Sequence, residues 1–200
     1  MGRKSKASLR KQEILSHFYE VIIEEGFEGA SIAKIAKRMD VNPSLLIHYF
    51  ATKDGMVLGL IDYIIETYST QIFPDFSGTQ DPSERWEDVL DVVSRIQWSR
   101  IIDNSVFYSC YTLTFRNIEI KRRFKDLYKG IINTLAYEVE YASKAGVIEV
   151  KNSIQAAEFM ISLIEGTNYY QYVSPFGMEA DDRAERTKNT IRTVLSGNRI

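Results

Sequence analysis

"GFEGASIAKIAKRMDVNPSLLIHYFATKDGMV", residues 26–57, holds two short apolar-periodic stretches separated by a sharp turn. Ile32, Ile35, Ala36 and Met39 recur three and four apart, the spacing that lines one face of a helix. Ser31 stands just before them, where its hydroxyl can accept a hydrogen bond from an amide of the first turn. Asp40 tolerates a left-handed backbone, Asn42 can cap a further helix, and Pro43 fits that helix's first turn, where a missing amide donor costs nothing. In this further helix Val41, Leu46 and Phe50 are spaced to lock against the preceding one, while Pro43, Ser44 and His48 fall on the outward side. Two short helices joined by such a turn make a helix-turn-helix, whose second helix can enter the major groove of DNA. Tyr49, Thr52 and Lys53 close the unit, where a phenol, a hydroxyl, an ammonium group and free backbone amides can meet phosphate.

The pattern on either side is also helical. A first helix is predicted from Ser8 to Glu25, burying Ile14, Leu15, Phe18, Val21 and Ile22, with Gly26 as its stop. A longer helix should run from Lys53 to Phe73, and "PDFSGTQDP" (74–82) reads as a surface loop. Asp81, Pro82 and Glu84 form a capping box ahead of Trp86, Val89, Leu90, Val93 and Ile96, which share one face. Further helices are expected over 117–146, over 152–172 behind a second capping box of Asn152 and Gln155, and over 182–196. With no convincing alternating strand, the fold is predicted to be all-α. Residues 1–53 should form an N-terminal arm and three-helix domain, and residues 54–200 a second helical domain with 54–73 as the connecting helix. By its position, that connecting helix is the natural lever between the two.

Composition is that of a globular protein, 44% apolar and 26% charged over 200 residues. No run approaches the roughly 18 apolar residues of a membrane span, and the basic N-terminus leads into no signal-like apolar stretch, so a cytoplasmic protein is expected. The lone Cys110 fits a reducing compartment and reads as a small buried side chain. The net charge of −2 conceals an asymmetry: residues 1–53 carry 9 Lys/Arg against 6 Asp/Glu, whereas residues 54–200 carry 16 against 21. Arg3, Lys4, Lys6, Arg10 and Lys11 precede the first acid, Glu13, giving either a polyanion-binding arm or a solubilising tail. Glycine-rich phosphate loops, HExxH or CxxC spacings and a nucleophile paired with a base are all missing from the sequence, so neither catalytic residues, metal nor cofactor are expected.

Gly26-Phe27, Ser31-Ile32, Ile35-Ala36, Val41, Leu46, His48-Tyr49-Phe50 and Lys53, at this spacing over roughly residues 9–60, resemble the DNA-binding region of the TetR family of bacterial transcriptional regulators. The resemblance implies phosphate contacts from Ser31, Tyr49 and Lys53, with Lys37 in support, and base-edge neighbours in Pro43, Ser44 and His48. His17 falls outside the motif. Three positions depart from the family's habit: Asp40 stands where glycine is usual, Ile47 where tyrosine is usual, and Leu45 where a polar residue is usual. Leu45 then contacts a thymine methyl group or simply packs.

For the remaining helices the resemblance implies a homodimer whose last two helices pair with a partner's in a four-helix bundle, with Phe159, Met160, Leu163, Ile164, Tyr170, Ile191, Val194 and Leu195 supplying apolar surface or completing the monomer's own core. It also implies a pocket for a small, largely apolar effector among Trp86, Trp98, Phe107, Tyr108, Tyr111, Phe115, Tyr128 and Tyr169, residues that otherwise form solid core. Repression of an operator is the family's habit. A regulator controlled by a partner protein, or without any small-molecule inducer, would have the same fold.

Overall fold

The computed structural model describes residues 6–96 and 102–195. Among them are nine α-helices and no strand: α1 Lys6–Gly29, α2 Ile32–Arg38, α3 Pro43–Phe50, α4 Lys53–Gln71, α5 Pro82–Ser94, α6 Asn104–Thr112, α7 Ile118–Lys144, α8 Ser153–Tyr170 and α9 Ala180–Leu195. The all-α expectation holds, and α6, which was not anticipated, adds a short helix behind the side-chain cap of Asp103. The helices group into two compact units, each drawn from two stretches: the described parts of 1–70 with 99–126, and those of 71–98 with 127–200.

In the first unit, the inward stripe of α1 is the one read from the sequence, with Ile14, Leu15, Phe18, Val21 and Ile22 all buried. The helix is interrupted at Gly26, whose φ of 76° and ψ of 164° suit only glycine, and a short helical segment continues to Gly29. Phe18, Ile22, Ile35, Ala36 and Leu46 are each no more than 1% exposed and form the centre of the three-helix head. α6 lies against α1, and the Asp103 amide donates to the Tyr19 hydroxyl at 2.7 Å. Partial burial there pushes the Tyr19 phenol up. Cys110, on the buried side of α6, is fully enclosed, and desolvation raises its thiol to about 12. Arg123, near the start of α7, pairs with Asp62 and donates to the Leu58 carbonyl at 3.4 Å, tying α7 to α4.

In the second unit, Asp81 caps α5 by accepting from the amides of Ser83 and Glu84, both at 2.9 Å. Trp86, Val89, Leu90 and Val93 then face inward. Arg85 is buried beside them and makes a two-pronged pair with Glu138 of α7, both bonds at 2.7 Å, while its guanidinium lies 4.4 Å from the centre of the Tyr141 ring. α5 also meets α9, where Lys188 reaches Asp91 at 2.6 Å and Glu87 at 2.9 Å. Asn152 caps α8 through the Gln155 amide at 3.0 Å. The expected surface loop is more ordered than a loop needs to be: Asp75 caps a single 3-10 turn, Phe76–Gly78, and Phe76 turns inward.

Candidate DNA-reading face

α2 begins at Ser31, whose hydroxyl oxygen accepts from the Lys34 amide at 3.3 Å and keeps its own proton free to donate. At the other end the chain reverses through two bonds, Asp40 N–H to the Lys37 carbonyl (3.2 Å) and Val41 N–H to the Ala36 carbonyl (3.0 Å). This paired closure needs a left-handed residue, and Asp40 supplies it with φ at 52°. Asn42 then accepts from the Ser44 amide at 2.9 Å, and Pro43 opens α3.

α3 buries Leu46 completely and half-buries Leu45, Tyr49 and Phe50, leaving Pro43, Ser44, Ile47 and His48 in solvent. The outward trio of Pro43, Ser44 and His48 is therefore on one accessible face, with the His48 ring edge-on to Tyr49 at 5.3 Å. Leu45 sits partly inside, which favours the packing alternative for it, whereas Ile47 remains 49% exposed.

The corner leading into α4 is tight. Thr52 N–H donates to the Phe50 carbonyl at 2.6 Å across Ala51, whose φ of 59° and ψ of −46° make this a strained γ-turn. Gly55 is required beside it, because a Cβ there would stand 2.3 Å from the Phe50 carbonyl oxygen. Thr52 accepts from the Gly55 amide at 3.0 Å and so caps α4, leaving its hydroxyl proton free to donate.

The cations around this face are not equivalent. Lys37 is exposed at the end of α2 and joins no ion pair among the described residues. Lys53 lies 5.7 Å from the centre of the Phe27 ring, and Lys11 of α1 the same distance from that of Phe50, the aromatic that ends α3. Arg38, close to Lys37 in sequence, is committed to Glu24 (2.7 Å) and Glu20 (2.9 Å) on α1, bonds that hold its guanidinium charged above the ordinary range. Lys34 is likewise paired with Glu25. Lys11, one of the five cations of the N-terminal basic stretch, is thus set beside α3. Arg3 and Lys4 lie outside the described residues.

A family model described as "Bacterial regulatory proteins, tetR family" matches residues 14–60, over this head, and one described as "Tetracyclin repressor-like, C-terminal domain" matches residues 83–196. The chain belongs to the TetR family. It is accordingly a DNA-binding transcriptional regulator and not an enzyme. The nucleoid occlusion factor SlmA of Vibrio campbellii is 30% identical over 130 residues, a match covering 64% of this chain and 65% of that relative, so just under two thirds of SlmA is spanned. The HTH-type transcriptional regulator YvdT of Bacillus subtilis is 26% identical over 194 residues, 95% of each chain. A transcriptional regulator from Saccharomonospora viridis, solved in complex with choline, superposes with a TM-score of 0.79 at 18% identity, covering 92% of this chain and 96% of its own.

Of the other two groups of residues read from the TetR resemblance, the pocket residues are divided between the two units, and the interface residues lie on α8 and α9 of the second. Phe107, Tyr108, Tyr111 and Phe115 belong to the first unit and meet one another and Phe124: Phe107 and Tyr111 are stacked at 6.2 Å, and Tyr111 is edge-on to Phe124 at 5.5 Å. Phe107 is buried in this cluster, whereas Phe115 is 81% exposed. In the second unit Trp86 is 3% exposed, Tyr128 donates to Glu165 at 2.8 Å and Tyr169 is largely in solvent, while Trp98 lies outside the described residues. Of the apolar residues expected on an interface, Met160, Ile164, Ile191 and Leu195 are buried inside their own unit, because each sits on the face its helix turns to α5 and its neighbours. Tyr170 is exposed, and Phe159, Leu163 and Val194 are half-buried. Among the described residues no helix is long and apolar enough to cross a membrane, and no cluster of His, Cys, Asp or Glu is arranged to hold a metal ion.

Proposed function

We propose that this TetR-family regulator is a cytoplasmic repressor that binds a palindromic operator as a homodimer and leaves it when a small, largely apolar ligand binds. Residues 1–53 make the DNA contacts, and residues 54–200 regulate and dimerise. The observation that carries the DNA-reading assignment is the capped helix α3 with Ser44 and His48 exposed together and Lys37, Thr52 and Lys53 around them. Pro43, Ser44 and His48 face base edges, and Ser31, Lys37, Tyr49, Thr52 and Lys53 face phosphate. One such helix covers one half-site, so a two-fold dimer is the natural reader of a palindrome. In the dimer, Tyr170, Phe159, Leu163 and Val194 meet the partner from α8 and α9. The choline complex of the Saccharomonospora viridis regulator supports a small-molecule effector for a protein of this build. A second reading, control by a partner protein, draws on the exposed run of Tyr169, Tyr170, Tyr172, Val173, Phe176 and Met178.

Selection from a random duplex pool at two salt concentrations, together with light-scattering mass, tests the proposal. The expected result is a dimer and a palindromic site, with preference at one position relaxed by His48→Ala. Lys53→Ala should weaken binding evenly across sequences and lower the salt slope by about 1. A monomer without sequence preference would overturn it.

A further inference from the structure

We infer that Ile47 reads the 5-methyl group of a thymine in each operator half-site, an assignment that rests on α3 being the DNA-reading helix. Three aliphatic side chains follow one another in this helix, and the fold treats each differently. Leu46 is wholly enclosed, Leu45 is half-buried, and Ile47 is left 49% exposed beside Ser44 and His48. Ser44, Ile47 and His48, the latter two spaced three and four residues from the first, form one exposed strip along the helix.

A strip of one branched hydrocarbon between a hydroxyl and an imidazole matches the major-groove edge of an A·T pair. That edge presents the thymine methyl next to the thymine O4 acceptor, and the adenine N7 acceptor next to the N6 donor. A hydrocarbon side chain cannot bond phosphate. At this position the chain therefore carries a group whose affinity depends on which base it meets. The exposed Lys37 and Lys11 and the half-buried Lys53 are placed to hold the duplex, and Ile47 adds no charge to that work. The methyl reader is accordingly Ile47, and the half-buried Leu45 takes the packing role.

The test replaces each thymine of the selected operator in turn by uracil, which removes only the 5-methyl group. It measures the affinity of the full-length parent, Ile47→Ala, Ile47→Ser and His48→Ala. One thymine in each half-site should be sensitive in the parent, with a loss of roughly fourfold per methyl group and roughly fifteenfold for the symmetric pair. Both Ile47 variants should lose that factor on the thymine duplex and respond no further to uracil, whereas His48→Ala should keep the full response. Thermal melts matching the parent would confirm that the variants fold, as expected for an exposed side chain. An operator insensitive to uracil, or a response that survives in both Ile47 variants, would overturn the inference and leave the DNA-reading assignment standing. Failure to select any operator would overturn both.

Discussion

Asp40 holds a left-handed backbone at the end of α2, a conformation in which an L side chain crowds its own carbonyl. Its short polar side chain keeps the cost low, but glycine would remove it. Asp40→Gly is expected to stabilise the protein by about 0.5–1 kcal/mol, and Asp40→Val to destabilise it by a similar amount or more, both read from urea unfolding midpoints. A null result for the valine variant would mean that the turn is not held as described. The turn was legible in the sequence because everything that fixes it lies within a few residues: Ser31, Asp40, Asn42 and Pro43 each act on a near neighbour. The exposure of Ile47 was not legible, because Leu45, Leu46 and Ile47 are chemically alike. Only the packing of α3 on its neighbours separates them.

At the scale of helices, the same distinction separates what was read from what was missed. Asp81 and Asn152 announce α5 and α8 because caps act locally. α6 also has a local cap in Asp103, but it is only nine residues long, and its docking on α1 engages a distant partner, the Tyr19 hydroxyl. Arg85 was equally hidden, since nothing nearby indicates that a guanidinium in the first turns of α5 will meet Glu138 on α7. The pair predicts an asymmetry. Arg85→Met alone should cost about 3 kcal/mol by leaving a buried carboxylate without its partner, whereas the double replacement Arg85→Met with Glu138→Leu should recover most of that loss. A double variant no more stable than the single one would show that the pair itself holds α5 to α7, by more than the mutual cancellation of two buried charges.

For the molecule as a whole, the stretch that reads DNA and the stretch that folds are different lengths of chain. The head of α1, α2 and α3 shares its compact unit with α4, α6 and the beginning of α7. Leu15 stands beside Gly59 of α4, and Tyr19 bonds Asp103 at the start of α6. A fragment ending at residue 53 would expose the faces of α1 that these elements cover. It is expected to show weak helicity by circular dichroism and no cooperative melt, while the full chain melts cooperatively. A cooperative melt of the fragment would mean that the three helices suffice. The sequence could mark where the reading motif ends, at Lys53, because a motif is a local pattern. It could not mark the compact unit, which joins residues far apart in the chain.

Cys110 is the single cysteine of the sequence and lies sealed within that same unit, its thiol held in the neutral form. The native protein is therefore a silent background for sulfhydryl-directed dyes. A cysteine introduced at the exposed Ala33 of α2 would take up a fluorophore alone, without prior removal of the natural one. Occupancy of the neighbouring reading helix could then be followed by its emission in an otherwise unaltered chain.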